Sequence, residues 1–134
     1  MKPTDLMIGD WVYCYGKPTK IAILTNGKVI GTEIGDGVIT PIPLTPEILE
    51  KNGWNLDTVL QCYTSTPLWL YGEGIINLLL QFPAKQSAGS FEIFDNQKIR
   101  SLFDFTWKDR LCIHDLQHAL RLCGFNKLAD DFKV

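Results

Sequence analysis

The segment 39–55 constrains the fold more than any other stretch of this chain, because it contains a short helix signalled at both ends. Thr45 is a good N-cap, and Pro46 suits the first helical position, where its missing N–H costs nothing. Gly53 suits the left-handed position that ends a helix, and Trp54 follows where an apolar residue is typical. These residues predict a two-turn helix that begins at Pro46 and ends before Gly53.

Leu49 lies at the centre of this predicted helix and connects its two ends. Leu44 can pack onto it from before the helix, and Trp54 can fold back onto it from after the helix. A helix of two turns is marginal alone in water. We therefore expect the helix over Pro46–Asn52 to be held between two flanking β-rich parts of the chain, with Leu49 buried.

The N-terminal part of the chain shows short apolar segments separated by glycine-containing turns. Asn26-Gly27 is the strongest hairpin signal, because both residues tolerate the positive φ of a type I′ turn. The opening from Leu6 to Val12, which reads Leu-x-Ile-Gly-Asp-x-Val, resembles the first strand of SH3-like barrels. The turn pattern and this resemblance together predict a small N-terminal SH3-like β-barrel or curled sheet.

The C-terminal part reads as an antiparallel sheet followed by one helix. Strand signals cover residues 57–64, 68–71 and 75–82, and a hairpin joins 90–94 to 99–107. The period of Ile75–Phe82 fits either a buried strand or a short helix, and its tight bounds at Gly74 and Pro83 favour the strand. One side of the segment Asp109–Cys123 is apolar on a helical wheel, so this helix is expected to back the second sheet.

These signals predict an α+β fold that is mostly antiparallel. We expect a small β-module over residues 1–43, a helical connector over 44–55, and a sheet with its helix over 56–134. The three parts form either separate bodies or one continuous domain. At 134 residues the chain is long enough to bury about two-thirds of its unfolded surface without disulfides or metals.

Large aromatic residues follow strand periodicity in three places, and each set has two interpretations. The three stripes are Trp11/Tyr13/Tyr15, Trp69/Tyr71 and Phe103/Phe105/Trp107. Such stripes can stack bases or sugars, and they also dominate many protein cores. Because Lys and Arg are not interleaved with these aromatics, we favour a core or an interface between lobes over a ligand platform.

The stretch His114-Asp115-Leu116-Gln117-His118 is the sharpest candidate for chemistry. It is related to the H-E-x-x-H motif, in which two histidines one helical turn apart bind zinc. Asp115 is shorter than the glutamate of that motif, and nothing in the sequence selects a third ligand. The apolar stripe lies on the opposite side of the helix, so we expect both histidines on an outer face. They are weak metal candidates, and we predict no cofactor.

Composition narrows the class of partner and the compartment. The formal net charge is −2, and neither residues 1–55 nor residues 56–134 carry a basic excess, which argues against electrostatic capture of nucleic acid. The four cysteines show no CxxC pair and no zinc-ribbon spacing. No segment resembles a signal peptide or is apolar enough to span a bilayer. We expect reduced thiols, no membrane association and a cytoplasmic location.

Two stretches resemble a family of small uncharacterised proteins found in gut-bacterial genomes and phage-like mobile elements. Ile42–Trp54 reads Ile-Pro-Leu-Thr-Pro-Glu-Ile-Leu-Glu-Lys-Asn-Gly-Trp, and Ile113–Leu120 reads Ile-His-Asp-Leu-Gln-His-Ala-Leu. Members of that family also begin with a short Ile-Gly-Asp-x-Val-like strand. The resemblance implies a bacterial, phage-associated, cytoplasmic protein, and it implies no catalytic residue.

No residue pattern assembles a catalytic constellation, so we predict that the protein is not an enzyme. The favoured hypothesis is a non-enzymatic protein-interaction module of prophage or mobile-element origin that binds a protein partner. The alternatives are a nucleic-acid-binding accessory protein and, third, a metal-dependent hydrolase at the two histidines; a homo-oligomer is also open. The expected interaction surface consists of Trp11, Tyr13, Tyr15, His114, Gln117, His118 and Arg121.

Overall fold

The computed structural model describes residues 6–25, 28–30, 39–58, 62–70, 74–80, 90–95, 98–104 and 111–134. These residues form an α+β fold in which the paired strands run antiparallel. In chain order the elements are β1 (Trp11–Cys14), β2 (Lys17–Lys20), β3 (Ile23–Thr25), β4 (Lys28–Ile30), β5 (Ile39–Pro41), α1 (Pro46–Lys51), β6 (Asn55–Asp57), β7 (Cys62–Thr64), β8 (Leu68–Leu70), β9 (Gly74–Leu80), β10 (Ser90–Asp95), β11 (Lys98–Asp104), α2 (Ile113–Leu122) and α3 (Asn126–Asp130).

The chain divides into two compact units. The first unit combines residues 1–44 with residues 112–134, and the second unit consists of residues 45–111. Helix α2 therefore belongs to the same unit as β1, and not to the sheet that we expected it to back. The predicted boundaries after residues 43 and 55 differ from this division because residues from both ends of the chain bond to each other within the first unit.

In the first unit, β1 is the centre of a three-stranded sheet with the order β2-β1-β5. Tyr15 and Gly16 form the two-residue turn between β1 and β2, with φ values of 49° and 74°. Positive φ at both central residues is what a type I′ hairpin turn requires. Tyr15 therefore lies in an exposed turn and does not extend the strand stripe of Trp11 and Tyr13, which are half-buried.

Strands β3 and β4 pair as a separate two-stranded sheet, with Thr25 opposite Lys28. This pairing agrees with the predicted hairpin, while its turn residues Asn26 and Gly27 lie outside the described residues. The described strands of the first unit form a three-stranded and a two-stranded sheet, not a closed barrel. The SH3-like barrel is therefore not confirmed.

The start of helix α1 is as predicted. Thr45 is the N-cap, and its Oγ1 accepts a hydrogen bond from the Ile48 N–H at 3.3 Å. Pro46 is the first helical residue, where no intrahelical donor is lost. The Leu49 side chain is fully buried, which confirms its predicted burial.

The end of helix α1 is a Schellman motif, also as predicted. Gly53 has a φ of 84°, and its N–H donates to the Glu50 carbonyl at 3.0 Å. The next N–H, from Trp54, donates to the Leu49 carbonyl at 2.9 Å. These two bonds complete the hydrogen bonding of carbonyls in the last turn of the helix. Trp54 is fully buried, so the helix ends inside the core of its unit.

The second unit contains a six-stranded sheet with the order β11-β10-β9-β7-β6, in which β8 also pairs with β9. The segment that fitted either strand or helix is the strand β9, and the predicted hairpin of β10 with β11 is present. The strand expected over residues 57–64 is instead the end of β6 and the whole of β7, with residues 59–61 outside the described residues. Ser65 follows β7, and its Oγ accepts a hydrogen bond from the Leu78 N–H of β9 at 3.0 Å.

Helix α2 begins at Ile113, later than the predicted start, after an extended N-cap residue. Its end is a second Schellman motif, in which Gly124 has a φ of 89°. In the sequence, Gly124 followed by the apolar Phe125 predicts this ending. The Phe125 N–H donates to the Leu120 carbonyl at 2.8 Å, which confirms it. The sequence suggests Asn126 as the cap of a final helical turn that ends at Asp131. In the structure Phe125 is the N-cap and Asn126 is the first residue of α3.

Candidate functional site

Helix α2 is buried on its polar face as well as on its apolar face. His114 and Gln117 are buried, and His118 and Arg121 are half-buried. The prediction that these side chains lie on an exposed outer face is therefore wrong. The physical reason is that three of them bond to polar groups from the start of the chain, which a helical wheel does not include.

The Asp10 carboxylate is the centre of this arrangement and is fully buried. Its Oδ2 accepts hydrogen bonds from the Met7 N–H at 2.7 Å and from His118 Nε2 at 2.6 Å. Its Oδ1 accepts a hydrogen bond from Arg121 Nη1 at 2.6 Å. A carboxylate is costly to bury unless charged or polar donors surround it. Arg121 and His118 supply those donors, with the His118 proton on Nε2 because an ionised carboxylate only accepts.

Gln117 makes three hydrogen bonds through its buried side-chain amide. Its Nε2 donates to the Gly9 carbonyl at 2.9 Å and to the Ala129 carbonyl at 3.0 Å. Its Oε1 accepts a hydrogen bond from the Trp11 N–H at 2.9 Å. Both amide donors are used, so the partners define which way the amide points. We call Asp10, Gln117, His118 and Arg121 the polar cluster.

Two further hydrogen bonds join the end of the chain to β1 and β2. The Trp11 Nε1–H donates to the Phe132 carbonyl at 2.7 Å, and Lys20 Nζ donates to the Asp130 carbonyl at 2.5 Å. Trp11 is therefore hydrogen-bonded within the first unit through both its backbone N–H and its ring N–H. Neither Trp11 nor the polar cluster forms the open interaction surface that the sequence predicted.

The two histidines of α2 contact each other edge to face, with ring centroids 5.5 Å apart. His118 Nε2 is occupied by Asp10, and Asp115 accepts a hydrogen bond from the Cys112 N–H at 2.9 Å, which caps the helix. Across the described ranges, no group of three His, Cys, Asp or Glu residues is placed to hold a metal ion. The arrangement thus differs from a zinc motif, in which both histidines present a nitrogen to the metal.

The four cysteines are free thiols, and three of them are buried. Cys123 is partly exposed, and burial raises the pKa of its thiol. The reactive form of cysteine is the thiolate, which needs an electropositive setting and a lowered pKa. Cys123 therefore has less thiolate at neutral pH than an ordinary exposed cysteine.

In the second unit, Trp69 and Ile75 form an exposed apolar pair. They lie directly opposite each other in the register of β8 and β9, and their side chains are 72% and 69% exposed. Ile76, the next residue on β9, is buried, so the two faces of this hairpin differ. Sequence reasoning grouped Trp69 with Tyr71, which lies outside the described residues, and missed Ile75.

The described helices α1, α2 and α3 contain 6, 10 and 5 residues. None of them is both long enough and apolar enough to cross a membrane. Comparison of the chain with known proteins found no matching protein-family model, no matching curated protein and no matching solved structure.

Proposed function

We propose that the protein is a non-enzymatic interaction module that binds a protein partner through Trp69 and Ile75. The observation that carries this proposal is the exposure of both side chains at directly opposite positions of one β-hairpin. Adjoining large apolar side chains on a surface are typical of a site that another molecule covers.

The chemistry of the pair suits a binding hot spot. Tryptophan is enriched among the residues whose truncation costs an interface most of its binding energy. It presents a large apolar ring with one N–H donor, so it can fill a pocket and still make a hydrogen bond. Ile75 lies across from it and extends the apolar surface without adding charge.

The strand that carries Ile75 is well anchored. Ile76, Leu78 and Leu80 of β9 are buried, and β9 pairs with β7, β8 and β10. A side chain on a strand held in this way loses little conformational entropy on binding. The sheet therefore supports a preorganised contact surface.

The polar cluster favours a structural role over a catalytic one. The Asp10 carboxylate is fully buried and accepts hydrogen bonds from Met7, His118 and Arg121. A general base must reach a proton on its substrate. An enclosed carboxylate that is already bonded to three donors instead joins the chain segments that supply those donors.

We also propose a cytoplasmic location and an origin in a prophage or mobile element. The free state of all four cysteines supports a reducing compartment. The resemblance of Ile42–Trp54 and Ile113–Leu120 to proteins of mobile elements supports the origin.

Affinity capture from bacterial extract tests the interaction. Tagged wild-type chain and a Trp69→Ala variant are compared, each with and without nuclease treatment. We expect a defined protein to be captured by the wild-type chain, to survive nuclease, and to be lost with Trp69→Ala, since the ring supplies most of the contact area. Ile75→Ala is expected to weaken the same capture.

Leu122→Ala is the matched control, because Leu122 is also 68% exposed but lies in α2 of the first unit. It is expected to leave capture unchanged. If Leu122→Ala lost as much captured protein as Trp69→Ala does, the capture would be nonspecific and hydrophobic, which would contradict the proposal. Recovery of nucleic acid, with protein partners lost on nuclease treatment, would favour a nucleic-acid-binding accessory protein instead.

A further inference from the structure

The first unit carries an open groove of about 520 Å³ beside the polar cluster. It is lined by Ile8, Gly9, Lys20, Ile21, Ala22 and Asp130. We propose that this groove binds a free aliphatic α-amino acid. The inference does not rest on the protein interaction proposed above, because the groove residues and the Trp69–Ile75 pair belong to different units.

A lysine and an aspartate, which carry opposite charges, both line the groove. Lys20 Nζ donates to the Asp130 carbonyl at 2.5 Å, so the ammonium is held next to the residue that carries the carboxylate. An ammonium has three N–H donors, and a bond to one carbonyl leaves donors that can reach a ligand carboxylate. The Asp130 side chain remains 57% exposed, so its carboxylate can receive a ligand ammonium.

The charges beneath the groove favour a ligand without net charge. Arg121 Nη2 lies 3.4 Å from Asp130 Oδ1, while Arg121 Nη1 pairs with Asp10. Among these groups, the cations Lys20 and Arg121 equal in number the anions Asp10 and Asp130. A ligand that carried only a carboxylate or only an ammonium would disturb this balance, whereas a zwitterion preserves it.

The backbone of Gly9 allows the guanidinium to come this close to the groove. A Cβ at Gly9 would lie 2.8 Å from Arg121 Nη2 and 3.2 Å from Asp130 Oδ1. Any larger residue would displace the charged groups that line and underlie the groove. Gly9 also has a φ of 93°, a conformation that side chains other than glycine rarely adopt.

The rest of the lining is aliphatic. Ile8 and Ala22 are exposed at the groove, and Ile21 contributes from a buried position. A branched aliphatic side chain placed on these three residues would lose water contact along its length. The volume lies within the range of small-molecule sites, which combine apolar walls with a few polar groups. Leucine supplies an ammonium for Asp130, a carboxylate for Lys20 and a branched aliphatic side chain for the apolar lining.

Four probes separate these features in a chemical-shift titration of the ¹⁵N-labelled full chain. The probes are L-leucine, isocaproate (leucine without its ammonium), isoamylamine (leucine without its carboxylate) and glycine. We expect leucine to bind with a Kd on the order of 1 mM, as suits a small ligand with few contacts. The other three should each bind about three- to tenfold more weakly, because each lacks one interaction. Shifts are expected at the amides of Gly9, Ile21 and Ala22.

Two variants, each with a matched control, test whether Lys20 and Asp130 bind the charged groups of leucine. Lys20→Met keeps the aliphatic stem and removes the ammonium, and Asp130→Asn removes the carboxylate charge at nearly constant shape. Each is expected to weaken leucine binding about three- to tenfold. Lys17→Met on the same strand and Asp131→Asn beside the groove residue are the matched controls, and both should bind leucine as the wild type does.

Three results would overturn the assignment. Absence of saturable shifts with leucine up to about 20 mM would exclude a useful affinity. Equal affinity for leucine and isocaproate would show that Asp130 does not receive an ammonium. Unchanged leucine binding in both Lys20→Met and Asp130→Asn would place the binding elsewhere. If Trp69→Ala captured the partner as well as the wild type does, the interaction proposal would fail. None of the leucine measurements would change, so the two proposals stand or fall separately.

Discussion

Arg121 Nη1 lies 2.6 Å from Asp10 Oδ1, although 111 residues separate them along the chain. This pair joins the turn over residues 7–10, which we call the opening turn of the first unit, to the last turn of α2. The Asp10 side chain is fully buried, and that of Arg121 is mostly so. The stability of the first unit should therefore depend strongly on this contact.

Replacement of Asp10 by alanine should lower the free energy of unfolding by about 3–5 kcal/mol, the usual cost of breaking a buried pair from one side. The reason is that the Met7 N–H, His118 and Arg121 would lose their acceptor together. Urea denaturation followed by circular dichroism measures the change.

Asp131→Ala is the matched control for this experiment, because Asp131 is exposed, and it should change stability by less than about 0.5 kcal/mol. Adding Arg121→Met to Asp10→Ala should cost less than the sum of the single changes, since no buried cation is then left without its anion. Strict additivity would contradict the pairing.

Replacement of Gln117 by leucine should cost about 2–4 kcal/mol at nearly constant volume. The Gly9 and Ala129 carbonyls and the Trp11 N–H would each lose a hydrogen bond inside the unit. Thermal and chemical unfolding of the variant measure the loss. Leu122→Ala on the same helix is the control, and an equal effect of the two substitutions would argue against a specific role for the amide.

Leu49→Ala should destabilise the protein by about 2–5 kcal/mol, because a fully buried leucine leaves a cavity when it is truncated. Glu50→Ala, at the adjacent exposed position, is the control. A loss below about 0.5 kcal/mol for Leu49→Ala would mean that the helix α1 does not depend on this residue.

The two Schellman glycines provide a matched pair of backbone tests. Gly124→Ala meets no atom within 4 Å, so it should cost only the strain of a positive φ, about 1–2 kcal/mol. Gly53→Ala should cost more, because its Cβ would lie 3.1 Å from Thr66 Cγ2. In a Thr66→Ala background, Gly53→Ala should lose less stability, so that its cost approaches that of Gly124→Ala. If the difference between the two costs did not change, contact with Thr66 could not be its cause.

The Tyr63 phenol gives the protein a predictable response to alkaline pH. Burial raises the pKa of Tyr63 above its ordinary value of 10.0, and Glu50 and Glu47 raise it further. The folded state thus favours the neutral phenol. Its contribution to stability is complete below pH 10, where the unfolded phenol is still neutral, and it is lost progressively as the pH rises above that value.

Unfolding experiments between neutral pH and high pH should therefore show the wild type losing stability relative to Tyr63→Phe above pH 10. Absorbance titration of the phenol provides a direct reading, and Glu50→Gln should lower the pKa of Tyr63. A constant difference between the wild type and Tyr63→Phe across this range would contradict the shift.

Local signals in the sequence predicted the parts of the fold that local bonds determine. Both Schellman motifs, at Gly53 and Gly124, depend on residues within six positions of each other, and the structure contains both. The N-cap at Thr45 is equally local. The strand β9 was recognisable because turn residues bound it tightly on both sides.

The burial of the polar cluster was not predictable in the same way. A helical wheel places Gln117, His118 and Arg121 opposite the apolar stripe, and polar side chains in that position normally face water. Their partners Gly9, Asp10 and Trp11 lie more than a hundred residues earlier. The available signal was chemical complementarity, since a lone aspartate in an apolar opening requires donors from elsewhere.

The sequence did not predict that Trp69 and Ile75 are exposed, and the reason is different. Alternation along β8 and β9 shows which residues share a face, but not which face another element covers. The barrel expected for the first unit is not confirmed by its described strands, for a related reason. The described strands of that unit form two separate sheets, and β1 bonds to helix α2 through the Trp11 N–H and the Gln117 side chain.

The polar cluster also determines the order in which the protein can mature on the ribosome. The Asp10 carboxylate emerges more than a hundred residues before Arg121, a delay of roughly 5–20 s at ordinary rates of synthesis. The second unit, as the continuous stretch 45–111, emerges completely within that interval and can fold first. The nascent opening turn must stay hydrated until α2 arrives, so a chain that is terminated early retains an exposed acidic opening in place of a finished first unit.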